Sequence, residues 1–91
     1  MKTRLHLHIS GIVQGVFFRD STREVAQARG LTGYVTNLPD GRVEVVAEGE
    51  KKDIDSLVQW CHAGPPRAVV KSVEIHIESY KGEFMIFEVR R

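Results

Sequence analysis

The chain has 91 residues, with 13 Lys or Arg against 12 Asp or Glu and a formal net charge of +1. That length suits one domain, residues 1–91, around one two-layer core, and so even a charge balance makes no case for nucleic acid or an acidic membrane as partner. No apolar run is long enough to span a bilayer, no basic-then-apolar leader is present, and a lone Cys61 cannot form an internal disulfide, so the expected setting is the cytoplasm.

Residues 4–10 alternate. Leu5, Leu7 and Ile9 point one way and His6, His8 and Ser10 the other, the pattern of a half-buried strand. Residues 11–19, Gly-Ile-Val-Gln-Gly-Val-Phe-Phe-Arg, follow as a glycine-bearing turn. A helix is expected over residues 21–29, opened by a Ser21/Glu24 capping box and closed at Gly30. Residues 31–38 read as a second strand, Pro39-Asp40-Gly41 as a turn, and Val43, Val45 and Ala47 as the inward side of a third strand. From Lys51 to His62, Ile54, Leu57, Val58 and Cys61 fall on one helical face, with Trp60 at its edge and Gly64-Pro65-Pro66 as the stop. Val73, Ile75 and Ile77 mark the inward side of a fourth strand, Tyr80–Glu83 an exposed turn, and Phe84–Val89 a last short strand.

The element order β-α-β-β-α-β places two helices of similar length over one apolar sheet face. The economical arrangement is α+β and ferredoxin-like: a mainly antiparallel sheet, four main strands ordered 4-1-3-2, both helices on one side. Pattern alone does not place the fifth strand.

Strand, glycine turn and helix start together suit an oxyanion. N–H groups at a helix N-terminus lack intrahelical partners and carry the positive end of the dipole. Arg19, where loop becomes helix, can grip two oxygens of one phosphate. The loop is not a Walker A sequence, for it lacks Gly-Lys-Ser/Thr, and it is not a thiol phosphatase loop, because Val13 stands where the nucleophilic Cys would be. Asn37 shares the parity of Val35 and so faces the helix side near its strand's end. A polar amide there serves either a hydrogen bond to the adjoining turn or a bound oxyanion and its water.

With those residues in view, the sequence closely resembles the acylphosphatase family over nearly its whole length. One family signature is Gly11–Arg19; the other is Gly33-Tyr34-Val35-Thr36-Asn37, with Gly41, Val43 and Gly49 at the family spacing. Gly64-Pro65-Pro66 with Ala68 and Val70 matches a weaker third stretch, and Phe87 suits the family's last strand. The resemblance implies hydrolysis of carboxyl phosphates to carboxylate and phosphate. It implies that Arg19 binds the phosphoryl group, that Asn37 positions the attacking water, and that the phosphate lies in a loop of Gln14, Gly15, Val16, Phe17, Phe18 and Arg19. A site of this kind, without His, Cys or carboxylate, is expected to need no cofactor and no metal; the expected partners are a small-molecule acyl phosphate as substrate and inorganic phosphate as product, with no nucleic acid or membrane, and the expected state is a monomer. Thr36 departs from the family's usual residue before the Asn and is expected to have only a local effect, since it points to the other face.

Three other readings fit less well. His6, His8 and His76 could hold a metal, but they lie on the uncovered face, and the sequence shows neither a Cys nor a carboxylate motif beside them; solvated histidines suit it better. An RNA-binding domain of this topology would want aromatics where His6, His8, Arg42, Glu44, Val46 and Glu48 stand. A regulatory module without turnover could dispense with Arg19 or Asn37, and this chain has both.

Overall fold

The computed structural model describes all residues from Met1 to Arg91. Its elements are β1 (Lys2–Ile12), α1 (Phe18–Ala28), β2 (Thr32–Asn37), β3 (Val43–Glu50), α2 (Lys51–Ala63), β4 (Val69–Glu78) and β5 (Phe87–Arg90). One five-stranded sheet runs in the order β4-β1-β3-β2-β5. The four main strands pair antiparallel, and β5 joins β2 in parallel. This is the ferredoxin-like α+β arrangement expected, with the fifth strand now placed at the edge beyond β2. No helix is long and apolar enough to cross a membrane.

The alternation in β1 sets the core. Leu5, Leu7 and Ile9 are fully buried, beside Val43, Val45 and Ala47 of β3 and Val35 of β2. The helices lay Phe18, Ala26, Ile54, Leu57 and Cys61 onto that surface. A fully buried aliphatic side chain of this kind contributes about 1.5–3 kcal/mol. Trp60 packs at the rim, its ring centroid 5.5 Å from that of Phe18.

Most boundaries fall within two residues of expectation, β1 taking in Gly11 and Ile12 from the expected turn, but two differ by more. The first helix begins at Phe18, not Ser21, and the Ser21/Glu24 box is not its cap: Ser21 N donates to Phe17 O, already an intrahelical bond. Burial of Phe18 against Trp60 decides the start, and the local capping signal gives way to it. The last strand begins at Phe87 rather than Phe84. Glu48 is the reason. Its buried carboxylate accepts the N–H groups of Lys81, Gly82 and Glu83, so this segment, exposed as expected, is nevertheless tied down and delays the strand. A third expectation holds only in part. Ile75 and Ile77 pair with the core positions Leu7 and Leu5, yet they are 43% and 64% exposed, because β4 is a sheet edge that the helix layer covers incompletely.

Candidate active site

Residues 13–17 connect the end of β1 to α1. A bulge at Ser10/Gly11 turns the strand's end, and a side chain at Gly11 would strike the Val69 carbonyl oxygen. Val13 and Val16 then point inward and anchor the loop. Gln14 ties it sideways: its Nε2 donates to the carbonyls of Leu38 and Arg42, both at 2.9 Å, across the β2–β3 turn. The loop is thereby held against the end of β2, where Asn37 lies.

Gly15 (φ 74°) and Phe17 (φ 67°) both take the left-handed region, and the space beside Gly15 is open for at least 4 Å. For Phe17, without glycine's freedom, that conformation costs roughly 1–2 kcal/mol. Left-handed residues in such a loop are what lets successive N–H groups turn the same way in an anion-binding nest. The N–H groups of residues 15–19 donate to no protein acceptor, and α1 has no side-chain cap. They face a dipole end and lie free for an anion.

A cavity of about 280 Å³ opens over these groups. Gly15, Phe17, Phe18, Arg19 and Asn37 all line it. Arg19 is half-buried and has no ion pair or side-chain hydrogen bond within the protein. Asn37 presents an amide whose buried Oδ1 accepts no hydrogen bond. The turn-bracing role considered for Asn37 is therefore not the one it plays; Gln14 braces that turn. Gln14 and Val16 are not part of the lining, because the first is committed to two carbonyls and the second to the core. Any part they take in holding phosphate rests on their backbone N–H groups.

Two lining residues went unmarked in the sequence. Asp20 and Arg91 also line the cavity, with Asp20 Oδ1 3.6 Å from both Arg91 Nη2 and Arg23 Nη2. Asp20 follows Arg19 directly and suits the first turn of a helix, a signal that was available. Arg91 had none, since its position depends on where β5 pairs. Thr36 lies on the other face, opposite Glu44 in the register.

A guanidinium without a counter-charge, an amide oxygen without a donor and a row of free N–H groups meet in one cavity. A profile of the Acylphosphatase family matches residues 5–89. The chain belongs to the acylphosphatase family. It is 58% identical over 87 residues to the acylphosphatase of Rubrobacter xylanophilus, covering 96% of this chain and 79% of that one. Against the acylphosphatase of Trichormus variabilis it is 52% identical, with 97% and 86% covered. Among solved structures, an acylphosphatase from Coxiella burnetii superposes with a TM-score of 0.91 at 45% identity, covering 98% of this chain and 93% of that one. The acylphosphatase of Bacillus subtilis gives 0.94 at 31% identity over the full length of both. As an acylphosphatase, the protein is a hydrolase that acts on acyl phosphates.

The other face of the sheet corrects one expectation. The histidines do have carboxylate neighbours: the register places Glu44 and Glu74 on either side of His8, and Glu78 lies beside His6. These glutamates come from strands about 35 and 65 residues further along the chain, so no local motif could reveal them.

Proposed function

We propose that this acylphosphatase cleaves carboxyl phosphates by metal-free, in-line attack of water on phosphorus. The phosphoryl oxygens sit on the N–H groups of residues 15–19 and in the fork of Arg19. The water sits on Asn37 Oδ1. The P–O bond to the acyl group breaks as the water oxygen forms its own, and carboxylate and phosphate leave. The observation that carries this reading is that Arg19 and the Asn37 oxygen, both without protein partners, share the cavity above the free N–H groups.

So few groups suffice for a physical reason. The departing carboxylate has a parent pKa of about 4, so it needs little help from a proton donor. Phosphoryl transfer passes through a loose transition state in most analyses, with charge spread over the equatorial oxygens. Water then needs alignment more than deprotonation, and fixed donors aimed at those oxygens supply most of the stabilisation. In the same reading the substrates are small acyl phosphates, the protein works as a monomer in the cytoplasm, and no nucleic acid takes part.

The test is phosphate release from benzoyl phosphate in EDTA by the wild type, Arg19→Ala and Asn37→Ala, each variant first checked for folding by circular dichroism. Arg19→Ala should lose on the order of 10³-fold or more, by analogy with arginine fingers, and should no longer be inhibited by inorganic phosphate. Asn37→Ala should lose turnover while keeping that inhibition. Wild-type turnover that stops on chelation, or folded variants that retain it, would overturn the mechanism.

A further inference from the structure

On the helix-free face, His6 and His8 of β1 stand between Glu44 of β3 and Glu74 and Glu78 of β4. His6 Nε2 is 2.8 Å and His8 Nε2 3.4 Å from the same atom, Glu44 Oε2. The far nitrogens also face carboxylates: His6 Nδ1 is 3.8 Å from Glu78 Oε2, and His8 Nδ1 is 3.4 Å from Glu74 Oε1. His76 holds Glu74 from outside at 3.2 Å.

This arrangement cannot be satisfied by neutral rings alone. A neutral imidazole has one N–H and one lone pair, whereas an ionised carboxylate only accepts. With a carboxylate at each end, every neutral ring must turn a lone pair toward negative charge. His8 Nδ1 is buried and, at 3.4 Å from Glu74 Oε1, makes no hydrogen bond as it stands. A cation shared by the two Nε2 atoms and Glu44 removes the conflict. Each Nδ1–H is then left for the carboxylate on its own side, Glu78 for His6 and Glu74 for His8, once small side-chain shifts close the 3.8 and 3.4 Å gaps, as in the carboxylate–histidine–metal relay that orients ligands in metal sites. Two donors about 2.1 Å from a tetrahedral ion lie about 3.4 Å apart, which is the present separation of His8 Nε2 and Glu44 Oε2. His6 needs to move back only slightly. The two histidines and Glu44 are 18–27% exposed, open enough for an ion to enter and for water to fill the fourth position.

We propose that His6, His8 and Glu44 form a binding site for a divalent transition-metal ion, of the class that imidazole and carboxylate together select, such as zinc, copper or nickel. Glu74 and Glu78 orient the two rings. The site lies on the opposite face of the sheet from the phosphate cavity and takes no part in hydrolysis.

The test is titration of the full chain with Zn²⁺ at pH 7.5 by calorimetry, together with NMR of the histidine ring nitrogens. We expect one-to-one saturable binding, metal on Nε2 of His6 and His8, a proton on Nδ1 of each, and His62 unmoved. His8→Asn and Glu44→Gln should each weaken binding by more than tenfold, Glu74→Gln by about tenfold through ring orientation, and His62→Asn not at all. Every variant should keep wild-type turnover of benzoyl phosphate, which also certifies its fold. The ring-nitrogen spectra of the unaltered protein decide the matter even if a variant misfolds. No saturable binding, binding that survives the His6→Asn/His8→Asn double change, or both rings remaining doubly protonated at pH 7.5 in excess Zn²⁺ would overturn the proposal.

Discussion

Arg19 carries a full charge into a half-enclosed cavity with no protein anion against it, while its neighbour Asp20 is shared between Arg23 and Arg91. Those two cations draw on the carboxylate that could otherwise neutralise Arg19, which leaves its fork ready for a ligand. Cys61 shows the opposite use of burial. It is fully enclosed beneath α2, and desolvation pushes its thiol up to about 12, so no thiolate forms at physiological pH. We expect Cys61 to be silent to a thiol reagent such as dithionitrobenzoate in the native protein, and to react fully once urea unfolds it. Rapid labelling of the folded chain would contradict that. At this scale the sequence was informative where motif and chemistry coincided. Arg19 and Asn37 could be picked out because a loop-to-helix arginine and an inward amide are unusual in themselves. Arg91 could not, since nothing near it in the chain reports what lies across from it.

Among the elements, α1 has the most to say. Its first residue, Phe18, is 2% exposed and fills the angle between the helices against Trp60. Its second is Arg19. Packing and chemistry are therefore one residue apart, and the core fixes the helix start that aims the arginine. Phe18→Ala should cost about 3–5 kcal/mol through the cavity it leaves, read as a lower urea midpoint. It should also reduce kcat in the fraction that remains folded, because the first turn loses its anchor. A stability loss with unchanged kcat would show the two to be separable. The start was misread in the sequence because Ser21 and Glu24 make a good capping box by themselves; only the tertiary position of Phe18 overrides them. The same holds for β5, whose place depends on a glutamate nearly forty residues earlier in the chain. The strands and helices with clean periodicity, β1 and α2 above all, were legible because one buried face dictates their pattern.

For the whole molecule, the Arg4–Glu48 pair joins the central strands to the chain's last segment. Arg4 reaches Glu48, Glu78 and Glu83, and Glu48 also takes the three N–H groups that route the chain to β5. Burial by itself would raise the Glu48 carboxyl, but the Lys81 amide, the Arg4 guanidinium and the Glu83 amide outweigh it and hold it below its ordinary value of 4.5. A carboxyl depressed by folding adds stability that is present above the unfolded value and disappears as pH falls through the folded one. Urea midpoints should therefore be level near neutrality and drop below about pH 4.5. In Glu48→Gln the acid-dependent part of that drop should shrink, and stability at pH 7 should fall by about 3 kcal/mol, as expected when a buried cation loses a partner. An unchanged acid limb in that variant would remove Glu48 from the explanation.

The placement of β1 has a consequence for how the chain reaches this state in time. It precedes the other strands of this sheet and lies inside it, with partners on both sides that follow much later: β3 from Val43 and β4 from Val69. Apart from the β2–β3 hairpin, no strand has its sheet neighbour next to it in the chain, so closing long loops comes before the contacts that reward it. Synthesis at about 5–20 residues per second would leave Leu5, Leu7 and Ile9 without one wall of their core for several seconds, until β4 has emerged. The interval in which this small hydrolase most needs protection is then its own translation, and the alternating histidines between those apolar side chains help to keep the waiting strand in solution.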